Sequence, residues 1–315
     1  MSAPIVTIAG FTGRMGRLIT TSLLENHPEI KIHGIVRSPD KVDPAIRRSS
    51  NVTLFEAPAF DAGALRQALK GSSVCICCYF GDSELMSEGQ KALIDACIDE
   101  KVARYIASDW CLDFRGLELG QIPAKDPMKH VQVYLEEKEK MDKIKAVHVL
   151  NGGFLDMVLA PSGELLNSET NTLKYWGSGD DKLDMITIVD AAAFTAEVAA
   201  DPSAVGFLNA VGDRVSANQL VKAFRNIYGE ELITERLGSL DELKTRMVAM
   251  RQQYPVDIYK WLGMVYWYYM LNGSTSVGPL DIARYPTVKP KSLDEFFRQY
   301  KTKKSLNEQG WVKFL

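Results

Sequence analysis

Residues 5–16 read IVTIAGFTGRMG, and this stretch decides the fold because it joins a strand to a helix through a glycine turn. Residues 5–9 are a β-branched apolar run, which is typical of a buried strand. Beyond the turn, apolar residues recur at helical spacing from residue 14 to residue 25, which predicts an amphipathic helix. We therefore expect a strand–turn–helix unit at the start of the chain.

The same alternation continues through the first half of the chain. Nearly continuous apolar segments predict five further strands at residues 31–36, 52–55, 74–79, 102–107 and 146–150. Helices are expected between them at residues 62–69, with Asp61 as N-cap, at residues 85–97, and at residues 126–143, with Pro127 in the first turn. This order predicts an α/β fold of the Rossmann type, a doubly wound parallel sheet covered by helices.

After residue 154 the alternation weakens, and helical patterns dominate at residues 187–200, 216–228, 240–272 and 292–300. We expect a Rossmann domain at residues 1–155 and a smaller, mostly helical region at residues 156–315. The second region is expected to cover the carboxyl edge of the sheet as a lid that binds substrate. Residues 185–201 are expected to pack back on the Rossmann domain.

Composition and charge argue against several classes of protein. The chain of 315 residues has 37 Lys and Arg against 40 Asp and Glu, which gives a net charge of −3. Domains that bind nucleic acid are usually basic, so this charge does not indicate a nucleic-acid partner. No apolar run is long enough to span a bilayer, and the start resembles a core strand rather than a signal peptide. Five cysteines, of which Cys75 and Cys77 lie in an apolar strand-like run where buried thiols are common, and four histidines without zinc spacing predict no metal and a reducing, cytoplasmic location.

Glycines at positions 10, 13 and 16 give the GxxGxxG spacing between the first strand and the first helix. The first permits a tight turn, the second a close approach of backbone to a pyrophosphate, and the third close packing of helix on strand. In this context the motif predicts a dinucleotide site, although a tight turn without a ligand is the alternative. The residues expected to contact the cofactor are Gly10, Phe11, Thr12, Gly13, Arg14, Met15 and Gly16.

Arg37 ends the second predicted strand, at the position where NAD-preferring sites usually carry an acidic residue. A guanidinium suits a 2′-phosphate, which a carboxylate would repel. Arg14 and Lys41 are close enough in sequence to add positive charge. The pattern predicts NADP(H) rather than NAD(H), and the alternative is an arginine at a solvated strand end.

Several motifs together resemble the NmrA-like branch of the atypical short-chain dehydrogenases, which includes isoflavone-reductase-like enzymes. The residues that carry the resemblance lie at 10–16, 36–39, 105–110, 151–154 and 188–192, and the similarity covers residues 4–235. It implies NADP(H) on a Rossmann domain and, in many members, reduction of small, often aromatic metabolites. Other members are redox sensors without turnover, so the resemblance says more about the fold and the cofactor of this chain than about its reaction.

The resemblance also implies a lysine early in the helix at residues 126–143, in contact with the nicotinamide ribose and able to assist proton transfer. Lys129 fits this role, and Lys125 is the alternative. Tyr134 and Lys138 match the YxxxK spacing of typical short-chain dehydrogenases, but Lys138 would lie more than half-way down the helix, away from the nicotinamide. Asp109, at the end of the fifth strand, is predicted to orient the lysine or a substrate hydroxyl, or else to cap a turn.

Strand ends at the carboxyl edge of a doubly wound sheet face the cofactor crevice. Further cofactor contacts are therefore expected from Tyr79, Ser108, Asn151 and Gly152, in addition to the contact of Lys129 that the resemblance implies. The aromatic-rich segment at residues 254–269 could line a substrate pocket, form an interface such as a homodimer, or pack in the core.

Taken together, the sequence predicts an NADPH-dependent reductase of a small aromatic or conjugated metabolite, with Lys129, Lys125, Tyr134 or water as the proton source. A non-catalytic NADP(H) sensor that binds a protein partner is the alternative, and a non-redox use of the fold is a third possibility. No nucleic-acid or membrane partner is expected.

Overall fold

The computed structural model describes residues 3–158, 165–167 and 170–300. Its strands are β1 (Ile5–Ala9), β2 (Lys31–Val36), β3 (Val52–Glu56), β4 (Val74–Cys77), β5 (Arg104–Ile106), β6 (Lys145–Leu150), β7 (Gly153–Phe154), β8 (Leu166–Asn167), β9 (Thr172–Trp176), β10 (Leu183–Ile186), β11 (Gly206–Asn209), β12 (Asp213–Val215) and β13 (Ile233–Gly238).

The α-helices of the described residues are α1 (Arg14–Asn26), α2 (Pro44–Arg47), α3 (Ala62–Leu69), α4 (Gln90–Asp99), α5 (Asp126–Lys140), α6 (Leu155–Val158), α7 (Ile188–Ala200), α8 (Ala217–Tyr228), α9 (Leu240–Gln253), α10 (Leu262–Leu271) and α11 (Leu293–Gln299). Short 3₁₀ and π turns join some of them, including a π turn at Leu85–Gly89 that leads into α4. None of the helices in this part of the chain has both the length and the apolar character needed to cross a membrane.

The main sheet has seven parallel strands in the order β11-β6-β5-β4-β1-β2-β3. The six strands predicted in the first half are all present, with β4 and β5 shorter than expected. The order reverses between β1 and β4, which is the switch point where a Rossmann sheet opens its ligand crevice. The predicted fold class is therefore confirmed.

Helices cover both faces of the sheet, as continuous apolar strands require. On one face α1 and α7 pack on each other and enclose a core that includes Ile8, Ile19 and Phe194. On the other face α3, α4 and α5 enclose a second core that includes Leu93 and Tyr105. The central strands between them are buried, and loops follow the strands at the carboxyl edge of the sheet.

The second half of the chain also contributes to the main sheet. The predicted helix at residues 187–200 is α7, which is capped by Thr187 and packs on α1. The seventh strand, β11, follows it and pairs with β6, which the sequence analysis did not foresee. The division at residue 155 stays a prediction about domain organisation.

The remainder of the second half forms two small sheets, β12-β10-β7 and β13-β9-β8, with α8 to α11 around them. Here the segment at residues 240–272 is helical, as its pattern predicts, but it is divided into two helices. The chain forms α9 and α10 with a 3₁₀ turn at Ile258–Lys260 between them. The break follows Gln253 because Pro255 has no backbone N–H and disfavours helical geometry in the residue before it.

Candidate functional site

The glycine loop between β1 and α1 is built for close packing of backbone. Gly10 has φ +73°, and a Cβ there would lie 2.5 Å from the carbonyl oxygen of Cys78. A Cβ on Gly16 would lie 2.8 Å from the carbonyl oxygen of Gly10. The loop therefore lies directly against the end of β4 and has no room for side chains at these two positions.

The N-terminus of α1 has the properties of an anion site. The helix begins after Gly13, with no capping side chain and no acidic residue in its first turn. Its first N–H groups are thus left for a ligand, and the helix dipole favours negative charge there. Phe11 and Met15 pack into the apolar core beside the loop, and Thr12 is half-buried. Any contact from Phe11 must come from its backbone.

Three cations predicted for the cofactor differ in their surroundings. Arg37 and Lys41 are exposed at the end of β2. Arg14 is half-buried, and burial lowers its pKa while the nearby Asp156 opposes that change. Arg37 and Lys41 are therefore free to meet a phosphate in solvent, whereas Arg14 lies toward the second half of the chain.

The ends of β4 and β5 are joined by a buried hydrogen-bond network. Ser108 Oγ donates to the carbonyl oxygen of Tyr79 at 2.7 Å, and its backbone N–H donates to Gln90 Oε1 at 3.1 Å. Tyr105 also donates to Gln90 Oε1. Ser108 therefore holds two strand ends together, while the phenol of Tyr79 is buried with no hydrogen-bond partner among the described residues.

The residue that best indicates a site for a polar ligand is Asn151, at the carboxyl end of β6. Its side chain is fully buried, and neither its amide nitrogen nor its amide oxygen has a hydrogen-bond partner in the described part of the chain. Burying an unsatisfied polar group costs about 1–3 kcal/mol. Next to it, Gly152 has φ +71°, and a Cβ there would collide with the carbonyl of Asp184. A polar ligand at this edge would satisfy the amide.

Asp109 does not face the crevice as a free carboxylate. Nδ1 of His148, on β6, donates to its Oδ2 at 2.7 Å, and the two side chains are 3% and 1% exposed. The imidazole also stacks on Phe207 with ring centres 4.4 Å apart. This geometry favours a buried structural pair and does not favour the catalytic role predicted for Asp109.

Lys129 lies in the first turns of α5, as predicted, but its ammonium is engaged. Nζ donates to the carbonyl oxygens of Phe114 and Arg115, each at 3.2 Å. Both hydrogen bonds would have to break before Lys129 could reach a cofactor. Its assignment as a ribose ligand and proton source stays a prediction.

The alternative, Lys125, is buried just before α5. Its ammonium interacts with the thiol of Cys111 and the phenol of Tyr266. The sequence analysis did not identify these two partners, because they belong to separate segments and carry no motif of their own. Lys125 is thus the lysine that interacts with residues beside the carboxyl end of β6.

Tyr134 and Lys138 are occupied on the outer surface of α5. Tyr134 Oη donates to Asp95 Oδ1 at 2.6 Å, and Lys138 Nζ lies 3.3 Å from the same carboxylate. Asp95 belongs to α4, so the pair joins two helices away from the edge of the sheet. This agrees with the expectation that the YxxxK spacing is not a catalytic pair here.

The aromatic-rich segment at residues 254–269 serves more than one purpose. Trp261 is 2% exposed and packs in the core, whereas Tyr259 is 86% exposed. On α10, Trp267 lines a small apolar cavity of about 20 Å³ together with Tyr175 and Trp176. The segment is therefore partly core and partly the wall of an apolar cavity.

Comparisons with known structures agree with this architecture. AtPrR2 with NADP⁺ and (+)pinoresinol is similar at a TM-score of 0.77 and 19% identity, covering 95% of this chain and 99% of that chain. An isoflavone reductase is similar at a TM-score of 0.73 and 18% identity, covering 94% of this chain and 99% of that chain. Leucoanthocyanidin reductase with NADPH, from Vitis vinifera, is similar at a TM-score of 0.73 and 16% identity, covering 94% of this chain and 99% of that chain. At such identities the likeness shows the fold alone.

No curated protein matches the chain. The model of the NmrA-like family, however, matches residues 3–301, which is nearly the whole sequence. The match includes the glycine loop, the switch point of the sheet and most of the second half of the chain. The chain therefore belongs to the NmrA-like family.

Proposed function

We propose that the chain is an NADPH-dependent reductase of a small aromatic or conjugated metabolite. The observation that carries the proposal is the fully buried amide of Asn151, which has no partner among the described residues although it lies at the carboxyl edge of the sheet. The bare N-terminus of α1 lies beside β4 at the same edge. An extended dinucleotide fits both features, since it needs an anion site at one end and amide hydrogen bonds at the other.

The roles of the chain's own residues follow from this fit. The backbone of the loop at Gly10–Gly16 would hold the pyrophosphate, and Arg37 with Lys41 would bind the 2′-phosphate. Asn151 would hydrogen-bond the nicotinamide end. NADPH, when bound, supplies a hydride to the substrate. The aromatic side chains of α10 would cover the crevice and exclude water.

The similar structures support the choice of substrate class. AtPrR2 was obtained with (+)pinoresinol, and the other two are named for isoflavone and leucoanthocyanidin, all aromatic compounds. Two measurements test the proposal: calorimetry of NADPH binding, and then the oxidation of NADPH in the presence of a panel of aromatic ketones and quinones. Absence of NADPH binding would contradict it, and binding without any turnover would favour the sensor.

Arg37→Ala is expected to weaken NADPH binding by about tenfold or more, because it removes a charge-assisted contact to the 2′-phosphate. NADH lacks that phosphate, so its affinity is expected to stay within about twofold. Titration calorimetry of both cofactors measures the difference, and Arg66→Ala, an exposed arginine on α3 paired with Asp99, is the control. Equal losses for NADPH and NADH would remove Arg37 from cofactor selection.

A further inference from the structure

Lys125 is a buried cation in an unusual setting. It is 8% exposed, and its Nζ lies 5.5 Å from the centre of the Tyr266 ring. Its other close polar neighbour is the thiol of Cys111, and no Asp or Glu of the described residues forms an ion pair with it. A buried ammonium without a carboxylate is costly, so such a site is a candidate for a functional role.

Cys111 connects Lys125 to the carboxyl edge of the sheet. Its carbonyl oxygen accepts hydrogen bonds from the N–H groups of Asn151 at 2.9 Å and of Gly152 at 3.1 Å. It also pairs with Leu150, the last residue of β6. The ammonium of Lys125 thus interacts with a residue that adjoins Asn151, whose buried amide lacks a partner among the described residues.

Tyr266 lies on a face of α10 that is close to the same edge of the sheet. Met270 follows it by one helical turn on α10, and positions four apart share a helix face. A Cβ on Gly153 would lie 3.2 Å from the methyl carbon of Met270, and Met270 lines a small cavity of about 10 Å³ together with Gly152 and Leu112. The face of α10 that carries Tyr266 therefore lies near the end of β6, as Lys125 does through Cys111.

We propose that Tyr266 is the proton donor of the reduction and that Lys125 is its positioning residue, so that the substrate is a ketone or quinone carbonyl on an aromatic system. The inference rests on the proposed function. The carbonyl carbon accepts the hydride, with oxidation of NADPH to NADP⁺. The π electrons of the C=O bond move to oxygen, which takes the proton of Tyr266, and water restores the proton to the phenolate.

Charge supports this division of roles. Burial works against the charged form of Lys125, but its polar contacts with Cys111 and Tyr266 keep its pKa above the ordinary value, so the ammonium persists at neutral pH. Burial raises the pKa of Cys111 to about 11, so the thiol stays neutral and does not neutralise the ammonium. The positive charge is therefore available to stabilise the phenolate of Tyr266 after proton transfer.

The first test compares Tyr266→Phe with wild type in single-turnover oxidation of NADPH by phenanthrenequinone, with calorimetry of NADPH in parallel. We expect a loss of rate of about a hundredfold or more, because a positioned general acid is worth that much, and an unchanged NADPH affinity. Tyr268→Phe is the matched control, since Tyr268 lies on α10 but packs against Tyr269 and Lys244. It should behave as wild type.

The outcomes separate this inference from the proposed function. Failure of the wild type to bind NADPH would overturn both. Binding of NADPH with full quinone reduction by Tyr266→Phe would overturn the role of Tyr266 and leave the reductase intact. Binding of NADPH with no reduction of the quinone by the wild type would contradict the assignment of a carbonyl substrate.

The second test needs neither cofactor nor turnover. Naphthoate is an aromatic anion whose carboxylate mimics the charged oxygen, and we expect Lys125→Met to weaken its binding to the apo protein by about tenfold or more. Lys125→Arg should restore binding, which a purely structural role would not predict for a bulkier side chain. Lys138→Met, on the surface of α5, is the control. Equal binding by wild type and Lys125→Met, or none by the wild type, would contradict the role of Lys125.

Discussion

Gly10→Ala is expected to destabilise the protein by about 3–5 kcal/mol and to abolish NADPH binding by whatever fraction stays folded. The added Cβ would lie 2.5 Å from the carbonyl oxygen of Cys78, 2.7 Å from its carbonyl carbon and 3.2 Å from the backbone nitrogen of Tyr79. These are backbone atoms at the end of β4, so they cannot move without disturbing the sheet. The loop would have to withdraw from the strand, and the anion site at α1 would lose its shape.

The matched control for this change is Gly206→Ala. Gly206 has φ +75°, almost the same as Gly10 at +73°, but a Cβ there would meet nothing within 4 Å. Its cost should be limited to the strain of a left-handed alanine, about 1–2 kcal/mol. Urea denaturation of both variants, with NADPH calorimetry at low denaturant, measures the difference. Equal costs would show that the contact with Cys78 is unimportant, and normal NADPH binding by Gly10→Ala would remove the loop from the site.

The first half of the fold could be predicted because its signals are local. Each strand of the first half is an apolar run, and Asp61 accepts a hydrogen bond from Ala64 N at the start of α3, as its sequence position predicts. Ser216 and Ser292 likewise cap α8 and α11. In contrast, β11 is a run of four residues that pairs with β6, and nothing in its own pattern shows that partner.

The residues of the candidate site show the same difference between local and tertiary signals. The glycine loop and Arg37 could be predicted as site residues because spacing and position relative to a strand define them. The group formed by Lys125, Cys111 and Tyr266 was not, because a tertiary fold brings together three segments that lack a shared motif. Asp109 shows the opposite difficulty. Its place at a strand end was predicted correctly, but sequence does not reveal on which side of the strand a carboxylate finds its partner.

Asp109→Ala is therefore expected to act on stability rather than on chemistry. The substitution would leave the Nδ1–H of His148 without its acceptor in a site where both side chains are almost completely buried, at a cost of about 2–4 kcal/mol. Asp109→Asn keeps an oxygen acceptor of the same shape and should lose less. Asp99→Ala removes an exposed carboxylate paired with Arg66 and should leave the free energy of unfolding nearly unchanged.

The decisive comparison is between the unfolding free energy and the rate of quinone reduction per folded molecule. If Asp109 serves as the buried acceptor of His148, Asp109→Asn will unfold more easily yet reduce phenanthrenequinone at a rate close to that of the wild type. If Asp109 orients a lysine or a substrate hydroxyl, the rate will fall while stability holds. The hydrogen bond of 2.7 Å and the stacking of His148 on Phe207 favour the first result, because both tie the carboxylate to the interior of the sheet.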